Sequence, residues 1–473
     1  MKPRKLLLLL LILVFGGSVE IVTRANQRLA IGPAGCRVLG GRFYGPSFAF
    51  ESTERSELAA GAAVEIENRF GNVTVAAGEP GHVVTTLRTV VYLPTESAAR
   101  AVSDRVKIEA HAAGAGFAIG TNRNQLLSED VGFETHLTVH VPPATPVKLK
   151  NEHGKVAVAD VARAEIENAY DAVELRQVAG DATLSTQHGG VDVAAVNGSL
   201  SLVHRYGDVS IRDVGGPTTL TAAHGDARLE RVGALKARLV YGDFVAATVR
   251  GDLEFTGEHA GVDVSDVDGA VAVTSAYRKL RVTRVKGAAR LSGPHSEIEA
   301  EDVGGDLTVD SSYDGVTLKK VAGRVEVKVE HGGVDAQDLA SGGRIEASGD
   351  DVSVHGFRAA LEVKARGGDV RLAPRGPLAA PVSVVNAHGG IRLEVAAGSR
   401  FGLDASARPG EVRVDLADVR ASESGRGRFR GNVGEGGPQV SLSDQHGDIE
   451  VVPAGAAHAS ADAPDTSAAP ARD

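Results

Sequence analysis

Eleven residues form one column along the chain: His153, Tyr170, His188, Tyr206, His224, Tyr241, His259, Tyr277, His295, Tyr313 and His331. Successive spacings are 17 or 18 residues, and the residue type alternates between His and Tyr without a break. A second column lies about midway between them: Val161, Val178, Val196, Val214, Val232, Val249, Val267, Val285, Val303 and Val321, continued by Leu339. Glycine often follows this valine, as in Val196-Asn197-Gly198 and Val249-Arg250-Gly251. Each unit therefore carries two turn signals about nine residues apart. Fixed self-similarity of this kind marks a repeat architecture, in which one unit cannot bury its apolar face alone and a stack of units can.

Between the turns run short alternating stretches such as Val191-Asp192-Val193, Leu200-Ser201-Leu202, Val209-Ser210-Ile211 and Val325-Glu326-Val327. Apolar and polar residues alternating over a few positions, bounded by glycine, predict strands with one face inward. The chain has 58 Gly, 12 Phe, 7 Tyr and no Trp. A core built from Val, Leu, Ile and Ala suits a narrow interior. The predicted fold is all-β: a parallel β-solenoid of ~18-residue, two-strand repeats, stacked at the inter-strand distance of roughly 4.8 Å. The strict alternation leaves a 36-residue turn open as well, with His at one edge and Tyr at the opposite one.

Residues 60–150 are less repetitive and predict a β-rich cap. Within it Val64–Val75 resembles a repeat unit with Phe70 in the aromatic slot, and His82–Tyr92 reads as a longer strand. Glu96–Ile108 is a short amphipathic helix with Ala99, Val102 and Val106 on one face. Lys2, Arg4 and Lys5 precede the apolar run Leu6–Phe15, the layout of an export signal, or of an uncut anchor if the run continues to Val22. The division that follows is 1–22 signal peptide or membrane anchor, 23–59 irregular linker, 60–150 cap and 151–371 regular solenoid. Residues 372–452 are then a less regular continuation, and 453–473 a disordered Ala/Pro-rich tail. Such a protein is exported to the cell envelope, anchored or released, and meets the membrane only through its first segment.

The recurring phrase xGDVxVxxVxG, the leading segment and VEIENRFGNVTV together resemble the bacterial putative-adhesin family of β-strand-repeat proteins, over about residues 60–452. The resemblance implies a β-solenoid in the envelope and brings no established catalytic residues.

The residues themselves point to no catalytic, cofactor-binding or metal site. HExxH, GxSxG and P-loop motifs are absent, and the single cysteine, Cys36, excludes a Cys-based zinc cluster. Histidines of the column, two 18-residue turns apart, stand about 10 Å from each other, too far to share one zinc. They read as flat rings stacked at a corner. Asp208, Asp226 and Asp243, each after a turn glycine, read as turn carboxylates. A net charge of −10 argues against nucleic acid. The expectation is a non-catalytic adhesin-like or scaffold protein whose partner is an unidentified envelope protein or polysaccharide. Competing readings are a self-assembling scaffold joined through open terminal strands and a glycan-processing β-helix enzyme.

Overall fold

The computed structural model describes residues 37–39, 42–114, 116–126 and 131–455. The leading basic and apolar segment, Cys36 and the tail from residue 456 lie outside the described residues. The chain divides into two compact units, one through Ala260 and one from Gly261.

The first unit is a parallel β-solenoid in which every turn contributes one strand to each of two sheets. Leu200–Tyr206 pairs with Thr218–His224, placing Tyr206 opposite His224. In the other sheet Val191–Val196 pairs with Val209–Val214, and that strand with Ala227–Val232. One unit of about 18 residues therefore makes one turn, and the 36-residue alternative is ruled out. Alternation sets the inside: Leu200, Leu202, Val209, Ile211 and Val214 are buried, with Ser201 and Val203 between them facing out. Each fully buried Val, Leu or Ile contributes roughly 1.5–3 kcal/mol. Large rings enter the interior at Phe244 and Phe255, which pack at 4.3 Å.

Two corners close each turn. At one, the residue before the column valine takes a left-handed backbone: Asp160, Gln177, Ala195, Asp213, Arg231 and Thr248 have φ of 54–58°. This inserts a second outward residue after Arg212, so that Val214 points inward again. The valines are thus the last buried residues of their strands, with the turn glycine after them. At the other corner the left-handed residue follows the ring, as at Gly189, Gly207, Gly225 and Gly242. A Cβ on Gly207 or Gly225 would overlap the carbonyl of the glycine one turn below, which explains why glycine holds this slot on those turns.

The first unit begins out of order. The rung Val64–Phe70 and Val73–Ala77 lies between Pro146–His153 with Val156–Val161 on one side and Gly116–Thr121 with Phe133–Val141 on the other. Antiparallel strands Phe48–Glu57 and His82–Val91 extend from Phe133–Val141, and Ile108–Ala113 folds back on Gly116–Thr121. Charged Glu51, Glu54 and Arg55 on the outermost strand blunt that edge. The helix is shorter than its sequence pattern: it covers Glu96–Ser103 with Ala99 buried, and Ile108 already opens a strand.

The second unit repeats the two-sheet turn, with Val267, Val285, Val303, Val321 and Leu339 in register. Here Tyr277, His295, Tyr313 and His331 themselves take positive φ of 56–75°. Three of them are followed by Arg278, Ser296 and Asp314 rather than glycine. The loosening after residue 372 has a topological cause. The last rung, Gln439–Asp444 and Ile449–Pro453, inserts between Val382–Asn386 with Ile391–Val395 and Phe401–Ala407 with Val412–Val414. Antiparallel Arg428–Val433 and Val419–Gly425 finish that end.

Candidate functional site

The aromatic column of the first unit is a stack of rings at one corner of the solenoid. Phe70, His153, Tyr170, His188, Tyr206, His224, Tyr241 and His259 follow one another at centroid distances of 4.5–5.2 Å, with planes within 11°. Parallel pairing in register imposes this, since each ring sits on its counterpart one turn away. The stack is closed at its beginning by Arg123, whose guanidinium lies 4.7 Å from the Phe70 ring and 4.2 Å from Phe133. Burial, with Arg69 nearby and Glu134 opposing, pulls the Arg123 pKa down to about 10. In the second unit Tyr277, His295, Tyr313 and His331 stack in the same way at 4.3–5.2 Å. His388 and His446 stack directly on each other at 4.7 Å.

Apart from Phe70 and the His388–His446 pair, the stacks alternate an electron-rich phenol with an imidazole. Parallel rings at these centroid distances form favourable pairs. Shape alone admits a phenyl ring, as Phe70 shows. His224→Phe is accordingly expected to melt within about 1 kcal/mol of wild type in urea denaturation.

Behind the rings, pointing inward two residues earlier, runs a polar ladder that sequence columns did not reveal. Asn68 donates to Asn151 and Asn151 to Asn168, both at 3.2 Å. Their amides also donate to the turn carbonyls of Gly71, Gly154 and Asp171. Thr186 and His204 occupy the same slot on the next turns, joined at 2.6 Å, and His204 Nε2 donates to Gly207 O at 3.0 Å. The slot then becomes Ala222 and Leu239, so the residue type changes along the column and hides the pattern.

His204 is 1% exposed, and burial lowers its pKa against the opposing pull of the Gly207 carbonyl and Asp208. The neutral ring is thus the folded form. As pH falls through about 6.5 the unfolded chain takes up a proton that the folded chain resists, so this site's stabilisation is present above that pH and lost below it. Wild-type protein should show a falling urea midpoint between pH 7.5 and 5. His204→Asn, which refills the slot as Asn168 does, should flatten that fall; an unchanged slope would place the effect elsewhere.

The turn carboxylates are spent on the backbone. Asp208 accepts the N–H of Asp226 at 3.0 Å, and Asp226 that of Asp243 at 2.9 Å. Asp181, Asp306 and Asp351 do the same one turn ahead. Beyond them, ion pairs such as Arg176–Asp192–Arg212 and Asp213–Arg231 link successive turns. Among the described residues, no three His, Cys, Asp or Glu side chains converge as metal ligands.

The grooves of the first unit include two beside the strands that carry the rings. One, of about 870 Å³, is lined by Glu65, Glu67, Lys148, Lys150, Glu109 and Arg123 beneath the Ile108–Thr121 hairpin. The other, about 680 Å³, runs beside the ring stack over Lys155, Gly190, Asp208, Ser210, Asp226 and Asp243.

A two-sheet parallel solenoid edged by a ring ladder defines a class of β-repeat protein. Residues 274–452 match the family model described as Toastrack DUF4097, less than half of the chain. Over that stretch the match agrees with the resemblance carried by the repeat phrase. Two crystal structures also match the chain. A putative cell adhesion protein from Clostridium sporogenes is 7% identical, aligned over 86% of this chain and 100% of its own, at a TM-score of 0.18. A putative adhesin from Parabacteroides distasonis is 10% identical over 61% of this chain and 97% of its own, at 0.19. Scores this low carry no argument. No curated protein matches the chain.

Proposed function

We propose that this chain is an exported, non-catalytic, adhesin-like binding protein of the cell envelope, with the ring stacks of its two units as recognition surfaces. One observation carries this. Tyr170, Tyr206, Tyr241, Tyr277 and Tyr313 are 42–57% exposed and make up most of the large apolar side chains on the described surface. The other large apolar side chains exposed among the described residues are Val203 and Val385, and most outward strand positions carry polar or charged residues. Rows of exposed aromatics on an otherwise polar surface mark interaction sites. The basic and apolar leading segment supports export, anchored or released. The partner class is an envelope protein or a polysaccharide.

Support for a non-catalytic role comes from the charged groups. The strongly hydrogen-bonded carboxylates, such as Asp213 and Asp266, are held below their usual range by the arginine of the next turn, a lattice contact of the repeat rather than an acid–base pair. The fluorescently labelled chain should co-sediment saturably with purified bacterial envelopes and release no sugars from them. A chain that stays in the supernatant contradicts the binding role, and sugar release contradicts the non-catalytic one.

A further inference from the structure

We propose that the outer edge of the Tyr170–His188–Tyr206–His224–Tyr241 ladder docks a linear, uncharged β-1,4-linked polysaccharide, one disaccharide for every two turns. This rests on the binding role above and names its ligand.

The five rings are covered on both faces by their neighbours, at 4.5–5.2 Å, so only their edges meet solvent. The phenol oxygens of Tyr170, Tyr206 and Tyr241 and the ring nitrogens of His188 and His224 make no hydrogen bond to protein. The chain satisfies the neighbouring polar slots with care: Asn151, Asn168 and His204 are all bonded. A row of unspent donors and acceptors on exposed rigid rings is therefore a surface held ready for an external partner.

Its period selects the partner. Like groups recur every second turn, about 10 Å at an inter-strand spacing of ~4.8 Å. In a β-1,4-linked hexose chain successive sugars are flipped, so the same edge recurs once per disaccharide, with an extended repeat of that same size. An extended peptide turns the same face outward every second residue, about 6.6 Å, so its consecutive same-face side chains miss the ~10 Å period. Polyanions are disfavoured by the net charge of −10 and by the exposed Asp208, Asp226 and Asp243 alongside. Between the rings and these carboxylates lie only Gly207, Gly225 and Gly242, so a flat polymer can approach the backbone.

Titration calorimetry of the full chain with chitobiose, chitotetraose, chitohexaose and cellohexaose tests this, with laminarihexaose as the β-1,3-linked control. Affinity is expected to rise with each added disaccharide of the β-1,4 series and to be absent for laminarihexaose. The double variant Tyr206→Phe/Tyr241→Phe keeps the stack and removes two hydroxyls. It should melt like wild type and bind chitohexaose about tenfold more weakly. Equal affinity for the β-1,3 hexamer, or a Phe variant that binds undiminished, overturns the proposal. So does the absence of any β-1,4 binding. If envelopes still capture the chain in that last case, the ligand class fails and the binding role stands; if they do not, both fail.

Discussion

Gly225→Ala is expected to destabilise the protein by about 3 kcal/mol or more, through steric overlap added to backbone strain. Gly225 has a φ of 117°, a region that alanine adopts only under strain. Its added Cβ would also overlap the carbonyl oxygen of Gly207 one turn below, and Gly242 meets Gly225 in the same way. Neither neighbour can retreat, because Gly207 donates its own N–H to His224 O and Gly225 its N–H to Tyr241 O. The substitution should therefore open two inter-turn hydrogen bonds at the corner that holds the ring ladder. Gly81→Ala separates the causes. Its φ is 76°, with nothing within 4 Å of the added Cβ, so it should lose only about 1 kcal/mol. Urea midpoints of the two variants, each measured against wild type, give the comparison. Equal losses would mean that the collision between turns contributes nothing.

The regular turns were legible because burial imposes a residue type. Leu202 and Ile211 must be apolar and Ser201 must not be, so a two-residue alternation survives in the sequence at every turn. The ring column was legible for the same reason: each ring stacks on the next and tolerates only a flat side chain. The left-handed corner before the valine was not. It requires a backbone conformation, and Asp160, Gln177, Ala195, Arg231 and Thr248 all adopt it with side chains in solvent. The interior ladder was hidden because Asn168, Thr186, His204 and Leu239 each satisfy one slot by different means. Rung order at the two ends was also out of reach. Nothing local in Val64–Phe70 or Gln439–Asp444 says that later or earlier strands flank it on both sides. The helix was overextended because the apolar positions Val106 and Ile108 continue its period after the chain has turned into a strand.

A turn that repeats every 18 residues should be removable as a turn. Deleting residues 207–224 joins Tyr206 to Gly225, so the strands Leu200–Tyr206 and Ala227–Val232 become consecutive parts of one turn. Parallel register then carries on, since Thr218–His224 and Leu200–Tyr206 offer the same alternation to their neighbours. Tyr206 would face Tyr241 and break the His–Tyr alternation at one junction, a change of less than about 1.5 kcal/mol in stacking. Stability in a stack of this kind is close to a sum of units and nearest-neighbour interfaces, so losing one interior turn should leave cooperative folding intact. Deleting 207–215 instead removes a single strand, Val209–Val214, and places two strands of the first sheet in succession. Every later strand would then have to change sheets, and the inward residues with them, so that variant should not fold.

Equilibrium urea unfolding of the 18-residue deletion is the most direct measurement of whether one unit makes one turn. The structure predicts a single cooperative transition with a midpoint close to wild type. A chain that is unfolded in buffer, and recovers folding only when 36 residues are removed, would contradict it.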